Sequence, residues 1–511
     1  MSVVARRPQP YVWAPSTGEL AGRTGLDPAQ VIRFDGNVPA LPPASARPAA
    51  VARALAGIND YDRDGYRELR EAIARGHDVD PAGIVLAAGS DDLILLCARV
   101  FAPGGRIATV PERTYAMYRV AADVAGAELV HDPQTADLTF VCRPNNPTGE
   151  MPGIPVARLA VVDEAYAEYA GETVVDRVSD ELVVLRTFSK AHGLAGARVG
   201  YAVATPAIAE ALLAHMAPLT VAAPSVALAL AALACPPDVR GQLAERERLA
   251  AALSALGLSP LPSHTSFVFV PLDDPDGFAD ALLARGLVVR RFSDGVRISV
   301  RDRDDDDLLL AAIAAVRGRA SIRDEGRQPE TVRHLRTTAE TRVALRLRLR
   351  GEGRVLVDTG SGFYDHMLQQ LAFHAGMDLV VDGAGDTETG DHHIVEDLMR
   401  TFGEALDQAL GSRAGMARYG EARVPMDEAL AHAVVDLSGR PVSRIALAPE
   451  PGMARHALES MVQTARVTLH VDASGDNAHH TAEAAFKAVG RALRDAVRTD
   501  GDAVASTKGS L

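Results

Sequence analysis

The sequence has 511 residues, of which 47% are hydrophobic, 23% are charged and 5% are aromatic. This length favours about two to four folded domains rather than a single core, and the composition is typical of a globular protein. The formal net charge of −14 argues against broad binding to nucleic acid or to an anionic membrane. An anionic ligand must therefore be bound by a local cluster of basic residues.

Cysteine usage and the apolar segments suggest a cytoplasmic protein. Cys97, Cys142 and Cys235 form no CxxC motif, which disfavours both a disulfide framework and a cysteine-ligated zinc site. The opening MSVVARRPQPYVW lacks the apolar core of a secretory signal. The most apolar region, 207–237, is interrupted by charged residues and prolines, so it is typical of packed helices rather than a membrane span.

Between about residues 80 and 300, short apolar runs alternate with longer helical patterns. Runs of this kind are AGIVLAAG, GRIATVPE, LTFVCRP, LAVVDEAY and LVVLRTFSK. Short buried strands separated by helices predict a mainly parallel α/β sheet with helices on both faces. Ligands of such sheets bind at the carboxyl ends of the strands.

Three motifs in this region occur together in a characteristic order: RPNNPTG (143–149), VVDEAYAEY (161–169) and LRTFSKAHGLAGARVGY (185–201). A lone lysine at a strand end is usually a surface residue. In this context, however, the motifs resemble a fold-type I pyridoxal-phosphate aminotransferase with an additional small domain. The segments over residues 1–320 look most similar to histidinol-phosphate aminotransferase, although IRFDGNVPALPP (32–43) and Arg301 depart from its usual pattern.

This resemblance implies a set of residues around pyridoxal 5'-phosphate. Lys190 would bind the cofactor covalently and transfer a proton, and Asp163 would pair with the pyridinium nitrogen. Arg297 would bind a substrate carboxylate in a fork. The remaining implied cofactor contacts are Ser90, Asp91, Tyr115, Asn146, Tyr166, Ser189, Arg198 and a Tyr61 from a second subunit, with the phosphate at the helix start near Ser90.

A polar stretch, RGRASIRDEGRQPE (317–330), has charge without apolar periodicity. It predicts a linker over 321–329 between an N-terminal domain, 1–320, and a C-terminal domain, 330–511. In the second domain, ETRVALRLRLRGEGRVLVDTG alternates apolar residues with arginines. We expect this segment to form a β-hairpin that turns at the glycines and belongs to an α+β domain.

The C-terminal domain contains the pattern HHxxE twice, at His392-His393…Glu396 and at His479-His480…Glu483. A remote histidine precedes each copy, His366 in one case and His456 in the other. The repetition indicates two duplicated half-domains.

On a helix, the glutamate of HHxxE shares a face with both histidines, whereas adjacent histidines diverge by about 100°. Two metal ions are therefore expected rather than one. Imidazole and carboxylate ligands without thiolate favour manganese or iron over structural zinc. A di-iron helical bundle is an alternative from a different class, but the alternating strand patterns argue against it.

Five segments of this domain together resemble imidazoleglycerol-phosphate dehydratase over residues 330–511. They are FYDHMLQQLAFH (363–374), DHHIVED (391–397), VPMDEALAHAVVDLSGRP (424–441), NAHHTAEAAFKA (477–488) and STKGSL (506–511). The resemblance implies that two Mn²⁺ ions are bound by His366, His392, His393, Glu396, His456, His479, His480 and Glu483. It implies substrate contacts by Glu340, Gln370, His374, Arg418, Arg440, Lys487, Ser506 and Lys508. Either Glu340 or Glu483 would take the proton during dehydration, and the sequence does not choose between them.

The two resemblances together predict a bifunctional histidine-biosynthesis enzyme. The ketone expected from the dehydratase, imidazole acetol phosphate, is the amino acceptor expected by the aminotransferase, which would take nitrogen from glutamate and release 2-oxoglutarate. The alternative is a dehydratase fused to an aminotransferase of aromatic specificity. The families also imply a homo-oligomer with aminotransferase dimers and a roughly 24-subunit dehydratase core, whose cubic symmetry contains twofold axes.

Overall fold

The computed structural model describes residues 14–40, 42–43, 51–52, 55–56, 58–319, 330–385, 390–501 and 503–506. The predicted linker, 321–329, and Lys508 lie outside these residues. The chain divides into two compact units, Met1–Arg323 and Asp324–Leu511. Among the described residues, no helix is both long and apolar enough to cross a membrane.

The N-terminal unit combines helices and short strands. Its described helices are α1 (Thr17–Thr24), α2 (Arg67–His77), α3 (Ser90–Phe101), α4 (Met117–Ala125), α5 (Ala167–Ala170), α6 (Pro206–Ala214), α7 (Ala223–Leu233), α8 (Arg240–Ala255), α9 (Pro275–Leu283) and α10 (Arg303–Val316). Its described strands are β1 (Ile32–Arg33), β2 (Ile84–Ala87), β3 (Arg106–Val110), β4 (Glu128–Val130), β5 (Leu138–Cys142), β6 (Ala160–Asp163), β7 (Leu182–Thr187), β8 (Gly200–Val203), β9 (Phe267–Pro271), β10 (Leu287–Val288), β11 (Arg290–Phe292) and β12 (Gly295–Ser299).

A 7-stranded sheet in the order β2-β8-β7-β6-β5-β3-β4 forms the centre of this unit. Its pairs are parallel except where β8 meets β2 and β7. One face packs against Leu93 of α3 and Tyr118 of α4, and the other against Ile73 of α2 and Ala229 of α7. Strands covered on both faces need continuous apolar runs, so the mainly parallel sheet predicted from those runs is confirmed.

A smaller subdomain contains the antiparallel sheet β11-β12-β9 and the parallel pair β1–β10. Its core includes Leu249 of α8, Leu282 of α9 and Leu309 of α10. Because β1 pairs with β10, the residues that follow β1 lie beside this subdomain.

The C-terminal unit is built from long strands and long helices. Its described strands are β13 (Thr331–Thr337), β14 (Thr341–Arg348), β15 (Val355–Asp358), β16 (Asp378–Gly385), β17 (Tyr419–Met426), β18 (Ala429–Asp436), β19 (Val442–Ala448) and β20 (Thr468–Ser474). Its described helices are α11 (Gly362–Ala375), α12 (His392–Leu410), α13 (Ala454–Ala465) and α14 (Ala478–Ala496).

Two 4-stranded sheets of the same topology confirm the predicted duplication. Their orders are β13-β14-β16-β15 and β17-β18-β20-β19. In each sheet the first two strands pair antiparallel, and the third strand in sequence runs parallel to the fourth. Each half ends in a helix that carries an HHxxE pattern, α12 in the first half and α14 in the second.

The predicted hairpin between β14 and β15 is wrong, because β16 lies between these two strands. The carboxylate of Asp378 accepts hydrogen bonds from the backbone N–H groups of Glu352, at 2.8 Å, and Arg354, at 3.0 Å. These bonds hold the turn after β14 against the start of β16. The chain therefore passes β16 and forms β15 at the edge of the sheet. Alternation predicts that a segment is a strand, but it does not specify the neighbouring strand.

Each helix of one half packs against a helix of the other half. Helix α12 packs against α13, and α14 packs against α11, so each HHxxE helix contacts the remote-histidine helix of the other half. A Cβ atom on Gly403 would lie 2.5 Å from the carbonyl oxygen of Met461, and one on Gly490 would lie 2.3 Å from that of Leu371. Glycine at these two positions therefore permits the close helix contacts that bring the histidines together.

Candidate active sites

The N-terminal site is centred on Lys190, which follows strand β7. Its ammonium nitrogen lies 5.8 Å from the centroid of the Tyr166 ring. Burial, and to a smaller extent the positive charge of Arg297, lowers the pKa of Lys190 to about 8. A lysine with a lowered pKa is partly uncharged near neutral pH, so it can act as a nucleophile or as a base.

Asp163 ends the neighbouring strand β6, and it is 3% exposed. One carboxylate oxygen accepts a hydrogen bond from the Tyr118 hydroxyl at 2.9 Å, and the other accepts one from the backbone N–H of Ala165 at 3.1 Å. Burial raises the pKa of Asp163 to about 6. Sequence reasoning missed Tyr118, although the second tyrosine of PERTYAMY follows Tyr115 at helical spacing.

A cradle for an anion lies at the start of α3. Gly89 has φ 95°, and a Cβ atom on Gly200 would lie 2.5 Å from the backbone nitrogen of Ser90. One guanidinium nitrogen of Arg198 lies 3.3 Å from the carbonyl oxygen of Ala88 and 3.5 Å from the carboxylate of Asp91. Unpaired backbone N–H groups next to an arginine form a site that fits a phosphate.

The aromatic and amide residues predicted around the cofactor are held by specific contacts. The Tyr115 hydroxyl donates to Asp91 at 2.9 Å, and the side-chain oxygen of Asn146 accepts a hydrogen bond from Arg297. Ser189 is buried in the turn before Lys190. Tyr61, predicted to serve a second subunit, is 77% exposed.

Two arginines face each other across the β11–β12 pair. Arg290 and Arg297 are register partners, and the Nε atom of Arg297 is buried without a partner. The other nitrogens of Arg297 donate to Asn146 and, at 2.8 Å, to the carbonyl oxygen of Asp35. The guanidinium that is expected to bind a substrate carboxylate therefore already has two hydrogen-bond acceptors. Sequence reasoning missed Arg290, because its proximity to Arg297 depends on strand register.

The segment that departs from the usual pattern still contributes to the site. Asn37 is 2% exposed, donates to the Tyr166 hydroxyl at 2.9 Å and accepts from Ser299 at 2.7 Å. Arg301 instead has a structural position, since it donates to Asp305 at 2.7 Å and to the Arg33 carbonyl oxygen at 3.0 Å. Sequence reasoning did not identify Asn37 as a site residue.

The C-terminal unit brings six of the predicted metal ligands into two triads. One triad contains His366, His479 and Glu483, and the other contains His392, Glu396 and His456. Within each triad, ligand atoms lie within 4.8 Å of one another. Each triad combines an HHxxE helix of one half with the remote histidine of the other half.

The ligand geometry of these triads fits a divalent metal. The imidazole Nε2 atoms of His366 and His479 lie 3.8 and 3.4 Å from the Glu483 carboxylate. Those of His392 and His456 both lie 3.8 Å from Glu396. Nε2 of His456 is buried without a hydrogen-bond partner, which is an unfavourable state for a polar atom unless it binds a ligand.

The second histidine of each HHxxE pattern has a separate partner. Nδ1 of His393 lies 3.2 Å from the Glu340 carboxylate, and Nδ1 of His480 lies 2.9 Å from that of Glu428. The adjacent rings are inclined by 86° in the first pair and by 72° in the second. As expected for neighbours on a helix, the two histidines of a pair point in different directions.

Three of the predicted substrate contacts, Gln370, His374 and Lys487, lie on the two helices that carry the His366–His479–Glu483 triad. Gln370 and His374 follow His366 at one-turn intervals on α11, and burial, followed by the charge of Lys487, lowers the pKa of His374. Lys487 itself is 2.7 Å from the Glu483 carboxylate.

Arg418 and Arg440 occupy different environments. Arg418 donates to the carbonyl oxygen of Ala505 at 2.6 Å, which places its guanidinium next to Ser506. Arg440 is exposed in the loop between β18 and β19. Two of the predicted substrate contacts, Arg418 and Ser506, are therefore close together, while Lys508 lies outside the described residues.

Comparison with known proteins identifies both halves of the chain. Residues 359–493 match the family model of imidazoleglycerol-phosphate dehydratase. The imidazoleglycerol-phosphate dehydratase of Salinispora tropica is 48% identical over 200 residues, which cover 35% of this chain and 98% of that protein. The enzyme of the same description from Salinibacter ruber is 50% identical over 194 residues, which cover 36% of this chain and 96% of that protein.

Residues 30–313 match the family model of class I and II aminotransferases. A histidinol-phosphate aminotransferase from Sinorhizobium meliloti, solved in complex with pyridoxal-5'-phosphate, is 27% identical with a TM-score of 0.54. The match covers 61% of this chain and 95% of that chain. The chain therefore belongs to two families, the class I and II aminotransferases through its N-terminal unit and the imidazoleglycerol-phosphate dehydratases through its C-terminal unit.

Proposed function

We propose that the two units catalyse consecutive reactions. The C-terminal unit dehydrates imidazoleglycerol phosphate to imidazole acetol phosphate, and the N-terminal unit transfers the amino group of glutamate to that ketone, giving L-histidinol phosphate and 2-oxoglutarate. The presence of both families on one chain is the observation that carries this proposal, because the product of one reaction is the acceptor of the other.

The two histidine–glutamate triads are proposed to hold two divalent metal ions. Nitrogen and oxygen donors without thiolate fit manganese, and the orphaned Nε2 of His456 supports a bound ion at its triad. Metal ions there would supply the Lewis acidity that stabilises a deprotonated imidazole ring. His393 and His480 lie outside these two triads, and His480 groups instead with Asp427 and Glu428. We propose that both histidines complete the coordination in a neighbouring copy of the chain.

Dehydration also needs a base for a carbon-bound proton. Glu483 contacts Lys487 and the two histidines of its triad, whereas the Glu340 side chain is 57% exposed and lies beside His393 at 3.2 Å. These contacts favour Glu340 as the base. The hydroxyl leaves from the adjacent carbon, and the resulting enol converts to the ketone. Arg418, Arg440, Lys487, Ser506 and Lys508 are proposed to bind the substrate phosphate.

In the aminotransferase unit, pyridoxal phosphate would supply an electron sink for the charge left at the substrate Cα. The cradle formed by Gly89, Ser90 and Arg198 binds a phosphate, and Asp163 holds a proton on a ring nitrogen. Lys190, with its lowered pKa, takes the proton from Cα and returns it. Arg290 and Arg297 lie close enough to bind an anionic group together, which suits a carboxylate and a phosphate in successive half-reactions.

The test uses the purified full chain with manganese, pyridoxal phosphate, imidazoleglycerol phosphate and glutamate. We expect histidinol phosphate as the product, and imidazole acetol phosphate to accumulate when glutamate is omitted. Conversion to the ketone without amination in the presence of glutamate would refute the consecutive scheme. No conversion at all would refute the dehydratase assignment.

A further inference from the structure

The duplicated halves each place a glutamate at the same position of a hairpin. Glu340 immediately precedes β14, the second strand of the first hairpin, and Glu428 immediately precedes β18, the second strand of the other. Each carboxylate lies beside Nδ1 of the second histidine of the HHxxE pattern in its own half. Because the arrangement occurs twice, a chance contact does not explain it.

The contacts of Glu428 fix both a ring and a helix start. Its Oε2 atom is 2.9 Å from Nδ1 of His480, and its Oε1 atom accepts a hydrogen bond from the backbone N–H of Asn477 at 2.9 Å. Asn477 in turn caps α14 by accepting a hydrogen bond from the N–H of His479 at 2.8 Å. Glu428 thereby ties the β17–β18 turn to the first residues of the helix that carries the metal ligands.

The hydrogen bond to Glu428 determines which nitrogen of His480 can bind a metal. A carboxylate accepts, so Nδ1 must carry the hydrogen, and the lone pair is then on Nε2. A neutral imidazole whose second nitrogen donates to a carboxylate is the usual form of a metal-bound histidine.

Resting on the metal centre proposed above, we propose that Glu428 is a positioning residue of that centre and the counterpart of Glu340 in the second half. Asp427, Glu428 and His480 form a third group whose ligand atoms lie within 4.8 Å of one another, and the Asp427 carboxylate lies 3.7 Å from Nε2 of His480. In this proposal Glu428 is not itself a ligand of the ion but holds the His480 ring, so that Nε2 is available to the ion completed by another copy of the chain. The second histidine of each half is thus oriented by a glutamate from the hairpin of the same half.

The experiment uses competition with a chelator to measure the affinity and stoichiometry of Mn²⁺ binding to the full-length chain. This measurement does not depend on enzyme activity. Carboxylates that orient metal-bound histidines typically contribute about 10–100-fold in affinity, so E428Q should weaken one of the two ions by that factor. The matched control is E421Q, because Glu421 forms a similar 2.9 Å pair with His432 that belongs to neither triad. This variant should bind Mn²⁺ like the unaltered chain.

A third variant separates ring orientation from helix anchoring. N477A removes the helix cap but leaves the Glu428–His480 pair, so its Mn²⁺ affinity should change less than that of E428Q. Equal losses in N477A and E428Q would overturn the proposal, as would an E428Q variant that binds like E421Q. A third ion per chain that disappears in E428Q would also overturn it, since Glu428 would then be a ligand. If the unaltered chain bound no Mn²⁺, the metal centre itself would be refuted.

Discussion

The two units assemble their reactive side chains in opposite ways. In the aminotransferase unit, Asp163 is buried at the end of β6 and Arg297 is buried in the middle of β12, and the pKa values of both are shifted mainly by burial. In the dehydratase unit, the proposed metal ligands lie near helix starts, where the side chains of His392 and His479 are 61% and 49% exposed. A buried site is shaped by the fold itself, whereas the exposed triads would be completed by the metal ions and the neighbouring copy of the chain proposed above.

The largest expected effect is at Lys190, and it should be confined to one unit. Lys190→Ala removes the group proposed to transfer the proton at Cα, so transamination should fall by at least about 10²–10⁴-fold. The visible absorbance of the bound cofactor should be altered, and dehydratase activity should be unchanged. Transamination that survives in this variant would contradict the assignment of Lys190.

The complementary variant changes one of the two triads that are proposed to bind metal. Glu396→Gln removes a carboxylate that lies 3.8 Å from both His392 and His456. Loss of a direct ligand should weaken metal binding more than loss of a residue that only orients a ligand, for which the effect is about 10–100-fold. Mn²⁺ affinity at this triad should therefore fall by more than about 100-fold, and the rate of dehydration should fall with it. Chelator competition and separate assays of the two reactions measure this. A parallel loss of transamination would show that the two sites are not independent.

Arg290 tests whether the buried site recognises anions through two arginines. A hydrogen bond to a charged group contributes about 1.5–3 kcal/mol, so Arg290→Gln should lower kcat/KM for the phosphorylated ketone by roughly 10–100-fold. Arg291→Gln is a suitable control, because Arg291 pairs with Asp280 on the exposed side of the hairpin. Equal effects of the two variants would argue against a specific role for Arg290.

Burial of Asp163 should also lower the free energy of unfolding of the cofactor-free protein in a pH-dependent way. The pKa of Asp163 rises from 3.8 to about 6 on folding, so the unfolded state loses its proton first and stability falls as pH increases from about 4 to 6. The shift corresponds to about 3 kcal/mol at neutral pH. Asp163→Asn should therefore raise the Tm of the apoenzyme at neutral pH while weakening cofactor binding. A lower Tm for this variant, measured by calorimetry, would be inconsistent with this cost.

The features that depend on local sequence patterns were predictable from the sequence. Buried strands, the HHxxE helices and the duplication follow from periodicity and repetition, and the topology confirms them. The exchange of helices between halves was not predictable, because it depends on the close packing at Gly403 and Gly490. Strand register likewise determines that Arg290 faces Arg297, and the position of Glu428 beside His480 depends on how the hairpin packs against α14. These are long-range contacts for which the sequence contains no local signal.

The most direct test of the consecutive scheme compares amino acceptors at the N-terminal site. With glutamate as donor, kcat/KM for imidazole acetol phosphate should exceed that for an aromatic 2-oxo acid by at least about 100-fold, because the buried Arg297 and the partly buried Arg290 would be left without the phosphate when the competitor binds. An equal or greater kcat/KM for the aromatic 2-oxo acid would contradict the account and would leave the dehydratase product without a partner reaction on the same chain.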